Sequence, residues 1–85
     1  MPASFVCPVC GFPSLTEQPR HADGGGSDEI CPSCGFQFGF DDDDRRISFE
    51  GWRREWVKRG MPWSSKGIPC PVDWNPESQL RNLQL

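Results

Sequence analysis

Five cysteines carry the most reactive side chains of the chain, and four of them occur in two short turns with the same pattern. The segments CPVCG (7–11) and CPSCG (31–35) give the spacing C-x2-C-x20-C-x2-C. A gap of two residues lets one tight turn present both sulfurs to a single ion, and the glycine after each pair permits a left-handed backbone. The spacing therefore predicts a metal site with four thiolate ligands: Cys7, Cys10, Cys31 and Cys34.

We expect this metal to be zinc in a structural role. Four sulfur ligands leave no position for water or a substrate, which argues against catalysis at the metal and favours a protein that is not an enzyme. The double C-P-x-C-G pattern also resembles rubredoxin, whose iron centre uses the same ligands. Iron stays an alternative because ligand identity alone does not separate the two metals.

Three other features with possible chemistry have simpler interpretations. Cys70 lies between two prolines and is expected to be a packed or free thiol. His21, the only histidine, lies in a polar loop and has no evident third group to orient a Cys–His pair. The run Asp41–Asp44 lacks the alternation of a calcium loop, so we expect its charges to favour the start of the next helix.

The length of the chain explains why it needs a metal. With 85 residues it forms only a thin core, and chains of this size usually add disulfides, a metal or a partner to offset the entropy of folding. Its first residues show neither the basic flank nor the apolar run of a signal peptide, so we expect a cytoplasmic protein with no membrane segment. Disulfides are disfavoured there, and an odd cysteine count cannot pair completely.

The charge is distributed unevenly. Residues 1–44 hold one basic and eight acidic side chains, a net charge of −7, whereas residues 45–85 hold eight basic and four acidic ones, a net charge of +4. Basic residues of the second half alternate with Glu50 and Glu55 at spacings that allow pairs along a helix. We therefore expect a solvated helix face and no binding to nucleic acid; a nucleic-acid-binding zinc ribbon is the alternative.

The hydrophobic pattern predicts a small α+β fold: zinc-ribbon or rubredoxin-like β knuckles, an amphipathic helix and a short C-terminal helix. Phe36, Phe38 and Phe40 alternate at the period of a strand, which would place all three on one face. The polar, glycine-rich segment 17–29 reads as an exposed, mobile loop. We expect a single domain (1–85), with a metal-binding β and turn part (1–44) and a helical cap (45–85).

Two helices are predicted within the helical cap. The stripe Phe49, Trp52 and Trp56, flanked by Ile47 and Val57, predicts the first helix, with Asp43, Asp44 or Ser48 as its N-cap and Gly60 at its exit. Asn75 as cap and Pro76 at the first position predict the second helix, anchored by Leu80 and Leu83. The four tryptophans are expected to cover the Phe face and the metal turns rather than line a peptide groove, with Trp63 and Trp74 the more exposed pair.

The paired turns, the stretch EICPSCGF, the acidic run and the following Trp/Arg helix together resemble the bacterial cysteine-rich CPCC domain group of small proteins. The chain differs from that group in having Val9 where a third adjacent cysteine is usual, and GFQF (35–38) where a Trp-containing acidic segment is common. The resemblance implies metal binding by the four cysteines in a bacterial cytosol, and an immunity-like or adaptor role. We therefore expect a structural zinc protein whose partner is another protein; a rubredoxin-like iron electron carrier is the alternative.

Overall fold

The longest regular element is helix α1, Phe49–Lys58, in a computed structural model that describes residues 4–83. The residue that begins α1 is Ser48, whose hydroxyl accepts a hydrogen bond of 2.9 Å from Gly51 N, rather than Asp43 or Asp44. Gly60 follows the C-cap with φ 92°, a left-handed conformation that glycine adopts without strain. The predicted helix is thus confirmed. Of the three predicted N-cap residues, Ser48 is the one that caps it.

A second helix, α2, spans Pro76–Leu80 and continues as a 3-10 turn over Arg81–Leu83. Asn75 caps it as predicted, because its side-chain oxygen accepts from Ser78 N at 3.1 Å. The two leucines expected to anchor α2 are only half-buried. The buried residue of α2 is instead Gln79, which is 6% exposed.

Within residues 4–83, the β structure consists of isolated antiparallel bridges, which pair Phe5 with Leu15, Arg20 with Gly26 and Ile30 with Gln37. Together with the two helices these bridges make a small α+β fold. The radius of gyration, 12.3 Å, is close to the value of about 12 Å expected for a compact chain of this length. No helix in this part of the chain is long and apolar enough to span a membrane.

The strand predicted over Phe36, Phe38 and Phe40 is the main error in the expected fold. Phe36 and Phe38 are fully buried, but Phe40 is 44% exposed. The chain turns between them, because Gly39 has φ 97° and the carboxylate of Asp41 accepts a hydrogen bond of 2.9 Å from Gln37 N. A side chain bonded to the backbone thus overrides the alternation of the phenylalanines.

The aspartate run forms this turn and does not cap the helix. Asp41 is 4% exposed and pairs with Arg45 at 3.0 Å. Asp42 accepts from Gly39 N at 2.6 Å, and the carboxylates of Asp42 and Asp43 both bind Arg20. The expectation that these charges serve the start of the helix was therefore wrong for Asp41 and Asp42, whose carboxylates organise the turn.

Arg20 also fixes the glycine-rich loop predicted to be mobile. Its guanidinium lies 3.1 Å from Asp42 and 2.9 Å from Asp43, and it donates to the carbonyl oxygen of Gly24. Gly26 packs directly on the backbone of Gly39, where any Cβ atom would collide with main-chain atoms. The loop is held against the aspartate turn at two points.

The core joins the cysteine turns to the aromatic face of α1. Phe36 packs edge-to-face on Phe49 and on Trp52, with ring centroids 5.4 and 5.5 Å apart. Trp56 is completely buried, whereas Val57, expected beside this face, is 42% exposed. The aromatic stripe therefore covers the cysteine part of the chain, as predicted.

Candidate metal centre

The two cysteine turns, CPVCG (7–11) and CPSCG (31–35), have the same backbone hydrogen bonds. In the first turn Cys7 N donates to Phe12 O and Gly11 N donates to Cys7 O, both at 2.8 Å. The equivalent bonds of the second turn measure 2.9 and 2.8 Å. Gly11 and Gly35 have φ values of 85° and 82°, the left-handed conformation that the sequence pattern predicted.

The four cysteines of these turns meet at one point, and their Sγ atoms all lie within 4.8 Å of one another. Two pairs that join different turns measure 3.9 Å, from Cys7 to Cys34, and 3.6 Å, from Cys10 to Cys31. A tetrahedral zinc with Zn–S bonds of about 2.3 Å requires sulfurs about 3.8 Å apart. The cluster therefore has the size of a tetrathiolate site and could hold one metal ion.

Hydrogen bonds among the buried thiols shift the pKa values of Cys10, Cys31 and Cys34. All four cysteines are 0–2% exposed. The hydrogen bond from Cys31, with others from the neighbouring thiols, holds the pKa of Cys10 far below its ordinary value. The same bond to Cys10 raises the pKa of Cys31, and the bond to Cys10 likewise raises the pKa of Cys34, with burial adding to both. A divalent cation counteracts the raised pKa values because it favours deprotonated sulfur.

Donors from the helical cap bind the carbonyl oxygens at the tip of the first cysteine turn. Arg53 Nε lies 2.6 Å from Val9 O, and Arg53 NH2 lies 2.8 Å from Pro8 O. Gln79 Nε2 lies 3.2 Å from Cys10 O. The sequence predicted a solvated face for Arg53, but its guanidinium donates to the first cysteine turn.

The second cysteine turn is covered in the same way. Ser64 N donates to Pro32 O at 3.0 Å and to Ser33 O at 3.1 Å, and Ser65 N donates to Pro32 O at 2.9 Å. Trp52 Nε1 donates to Cys34 O at 2.9 Å. In both turns, then, the carbonyl oxygens of the three residues from proline to the second cysteine all accept from the helical cap. Since Trp52 and Arg53 are adjacent, one turn of α1 holds both cysteine turns.

The glycines of the two turns allow this close approach. A Cβ atom at Gly11 would collide with the backbone carbonyl of Gln79, and one at Gly35 would collide with the side chain of Ser64. Each glycine therefore serves both the left-handed turn and the contact with the helical cap.

The four tryptophans all direct their indole N–H groups to acceptors within the chain. Trp52 binds Cys34 O, Trp56 binds Pro62 O, Trp63 binds Ile68 O and Trp74 binds the side chain of Gln79, each at 2.9 Å. Trp63 and Trp74, expected to be the more exposed pair, are half-buried, as Trp52 is, and pack edge-to-face with centroids 5.2 Å apart. The tryptophans therefore stabilise the fold, and their polar atoms are already satisfied.

The remaining candidate residues lie outside the cluster. Cys70 is exposed, and its thiol lies 3.6 Å from Pro71 O; His21 is exposed in its loop. Among residues 4–83, the four-cysteine cluster is the one group of at least three His, Cys, Asp or Glu side chains whose ligand atoms come close enough to share an ion. The aspartate run forms no such group within these residues.

Sequence reasoning missed three residues of the site: Ser33, Arg53 and Gln79. Ser33 is fully buried, and its hydroxyl helps lower the pKa of Cys10. The position of Ser33 between Cys31 and Cys34 was the one sequence feature that could have indicated this role. Gln79 and Arg53 lie in segments whose polar composition is typical of surface helices, so their partners could not be identified from local pattern.

Comparison with known proteins gives two similar chains, both named as uncharacterized proteins of Bacillus subtilis (strain 168). YozI is 29% identical over 76 residues, an alignment that covers 72% of this chain and 63% of YozI. YoaQ is 30% identical over 71 residues, covering 67% of this chain and 60% of YoaQ. The chain thus spans less than two thirds of either relative, and neither name assigns an activity. No family model matches the chain, and no solved structure matches it.

Proposed function

We propose that this chain is a small structural zinc protein with zinc-ribbon-like knuckles, which binds one zinc ion through Cys7, Cys10, Cys31 and Cys34. The observation that carries the proposal is the geometry of the four buried sulfurs, 3.6 and 3.9 Å apart across the two turns. Structural zinc contributes on the order of 10 kcal/mol to the folding of small peptides, which is ample for a chain of 85 residues.

The covered turns favour a structural ion over the alternative of a rubredoxin-like electron carrier. An electron carrier needs its metal close to the surface where a partner docks. Here the four sulfurs are 0–2% exposed, and donors from the helical cap occupy the carbonyl oxygens at both tips. The iron alternative shares the same ligands, so a single experiment separates the two.

That experiment is elemental analysis of protein purified from cells grown with balanced zinc and iron and without added chelator. We expect one zinc per chain and a colourless protein. Replacement by cobalt should then give the absorption of a tetrahedral tetrathiolate site. Bound iron with visible charge-transfer colour would favour the electron carrier, and absence of any stoichiometric metal would contradict the proposal.

Variants test whether the ion is needed for folding. Cys34→Ser removes one ligand, and because the ion stabilises the fold, we expect the variant to lose both metal and cooperative unfolding. Cys70→Ser is the matched control, because Cys70 is exposed and outside the cluster. A Cys34→Ser protein that stays folded without metal would show that the ion is not structural.

We further propose a cytoplasmic role as a non-enzymatic protein-interaction module, of the immunity-like or adaptor kind that the likeness to the CPCC group implies. Side chains such as Ile30, 56% exposed, and Ile68, 53% exposed, are available to a partner. Crosslinking in the native cells followed by size-exclusion chromatography tests this role. We expect the metal-loaded chain to elute in a complex with another protein; elution as a free chain would contradict the interaction role while leaving the zinc site intact.

A further inference from the structure

Gln79 differs from every other residue of α2 because its side chain is enclosed. It is 6% exposed, and both ends of its amide are bonded. Nε2 donates to Cys10 O at 3.2 Å and to Ser33 Oγ at 2.9 Å, while Oε1 accepts from Trp74 Nε1 at 2.9 Å. One amide thus links a metal-ligating residue of the first cysteine turn to the buried serine of the second.

Gln79 also forms part of an open groove. The groove has a volume of about 510 Å³ and lies between segment 12–14 and the C-terminal part of the helical cap. Phe12, Trp74, Ser78 and Asn82 line it together with Gln79. Solvent molecules that fill the groove therefore reach one side of Gln79, whose amide contacts Cys10 and Ser33 on the other.

Among the other side-chain donors to the cysteine turns, Trp52 also holds a ligand residue, through Cys34 O, but Trp52 does not line the groove. Arg53 binds Pro8 and Val9, and Ser64 binds the second turn through its main-chain N–H. Gln79 instead binds the carbonyl oxygen of Cys10 and the hydroxyl of Ser33, a fully buried residue between the ligands of the second turn. It is the donor whose loss opens the groove toward a ligand residue.

We propose that Gln79 is a positioning residue that closes the metal centre on its groove side and sets the rate at which metal leaves. This inference rests on the proposed zinc site. With Gln79 in place, a chelator reaches the ion only after the helical cap opens, so opening limits the rate of metal release. Without it, a chelator enters through the groove and attacks the ion directly. Loss of residues that position metal ligands typically changes metal affinity by about 10–100-fold.

The experiment measures zinc transfer from the full, zinc-loaded chain to the coloured chelator 4-(2-pyridylazo)resorcinol at several chelator concentrations. For the wild type we expect a slow rate that does not depend on chelator concentration. For Gln79→Ala we expect a rate about 10–100-fold faster that rises with chelator concentration. Gln79→Met keeps the volume of the side chain without its hydrogen bonds, and should show a smaller acceleration of the same kind.

Ser78→Ala is the matched control because Ser78 lines the same groove, and its hydrogen bond to Asn75 comes from the backbone N–H, which the variant keeps. It should release zinc at the wild-type rate. The inference is overturned if folded Gln79→Ala or Gln79→Met releases zinc as slowly as the wild type, or if Ser78→Ala accelerates release equally. A wild-type chain that binds no zinc would refute the proposed function instead, so the two failures are distinguishable.

Discussion

The indole N–H of Trp56 donates a hydrogen bond of 2.9 Å to the carbonyl oxygen of Pro62. The bond closes the segment that leaves α1, in which Met61 N also binds Trp56 O at 2.9 Å and Met61 has φ 56°. A fully buried side chain at the end of the helix thus directs the chain back toward the second cysteine turn, where Ser64 binds Pro32 and Ser33.

Trp56→Ala should therefore lower the free energy of unfolding by about 3–5 kcal/mol, the usual cost of removing a large buried aromatic. Chemical denaturation of the zinc-loaded protein measures it. Val57→Ala is the control at the next position, and because Val57 is 42% exposed, its effect should stay within about 0.5 kcal/mol. Near-neutral stability of Trp56→Ala, with loss of a partner, would indicate a recognition surface instead.

Gly11→Ala should destabilise the protein more than Gly60→Ala. Both glycines have left-handed φ values, 85° and 92°, so both variants carry a backbone strain of about 1 kcal/mol. Only Gly11 faces another segment: its new Cβ would collide with the carbonyl of Gln79, whereas nothing lies within 4 Å of the position at Gly60. Thermal unfolding compares the two, and equal losses would show that the contact with the helical cap contributes nothing.

Asp41→Asn tests the turn that replaced the expected strand. The carboxylate of Asp41 is 4% exposed and accepts from Gln37 N and from Arg45, so its loss should cost about 1–3 kcal/mol. Asp44→Asn changes an exposed carboxylate of the same run and should shift stability by about 0.5 kcal/mol or less. Both variants should retain one metal per chain; loss of metal from either would place the aspartates at the ion.

Zinc affinity should increase with pH. The hydrogen bonds to Cys10 raise the pKa values of Cys31 and Cys34 above their ordinary value of 9.0, so both thiols carry protons at neutral pH in the metal-free cluster. Binding must displace these protons, and raising the pH therefore favours the bound state. Competition with a chelator between about pH 6 and pH 8, together with proton release on binding, measures the effect. An affinity independent of pH would mean that the thiols are already deprotonated.

Local signals explain which parts of the structure the sequence predicts. The helix α1 follows from its aromatic stripe and α2 from Asn75 and Pro76, because helix caps and periodicity act over a few residues. The convergence of four cysteines follows from two identical turns, since one ion can bind both.

Contacts between distant residues explain what the sequence does not predict. Gln79 and Ser33 are separated by 46 positions in the sequence. A glutamine in a polar helix shows no local pattern from which its hydrogen-bond partner could be predicted. Phe40 continues the alternating pattern of a buried strand, but the hydrogen bond from Gln37 N to the Asp41 carboxylate stabilises a turn before Phe40 can lie on the same face. In both cases a polar side chain bonded to the backbone or to a distant partner decided the outcome.

The donors that cover the two cysteine turns all follow the last ligand in the chain, and this order has a consequence during synthesis. Gln79 is made about 45 residues after Cys34, which takes roughly 2–9 s at the usual rate of translation. The four thiols can thus meet the cell's metal pool before the segments that enclose them are free to fold over them. We expect the nascent chain to bind a metal ion at this stage and to retain it. When cells are moved from iron-rich to zinc-rich medium, protein made before the change should therefore still contain the earlier metal. Rapid exchange of metal in the completed protein would contradict this expectation.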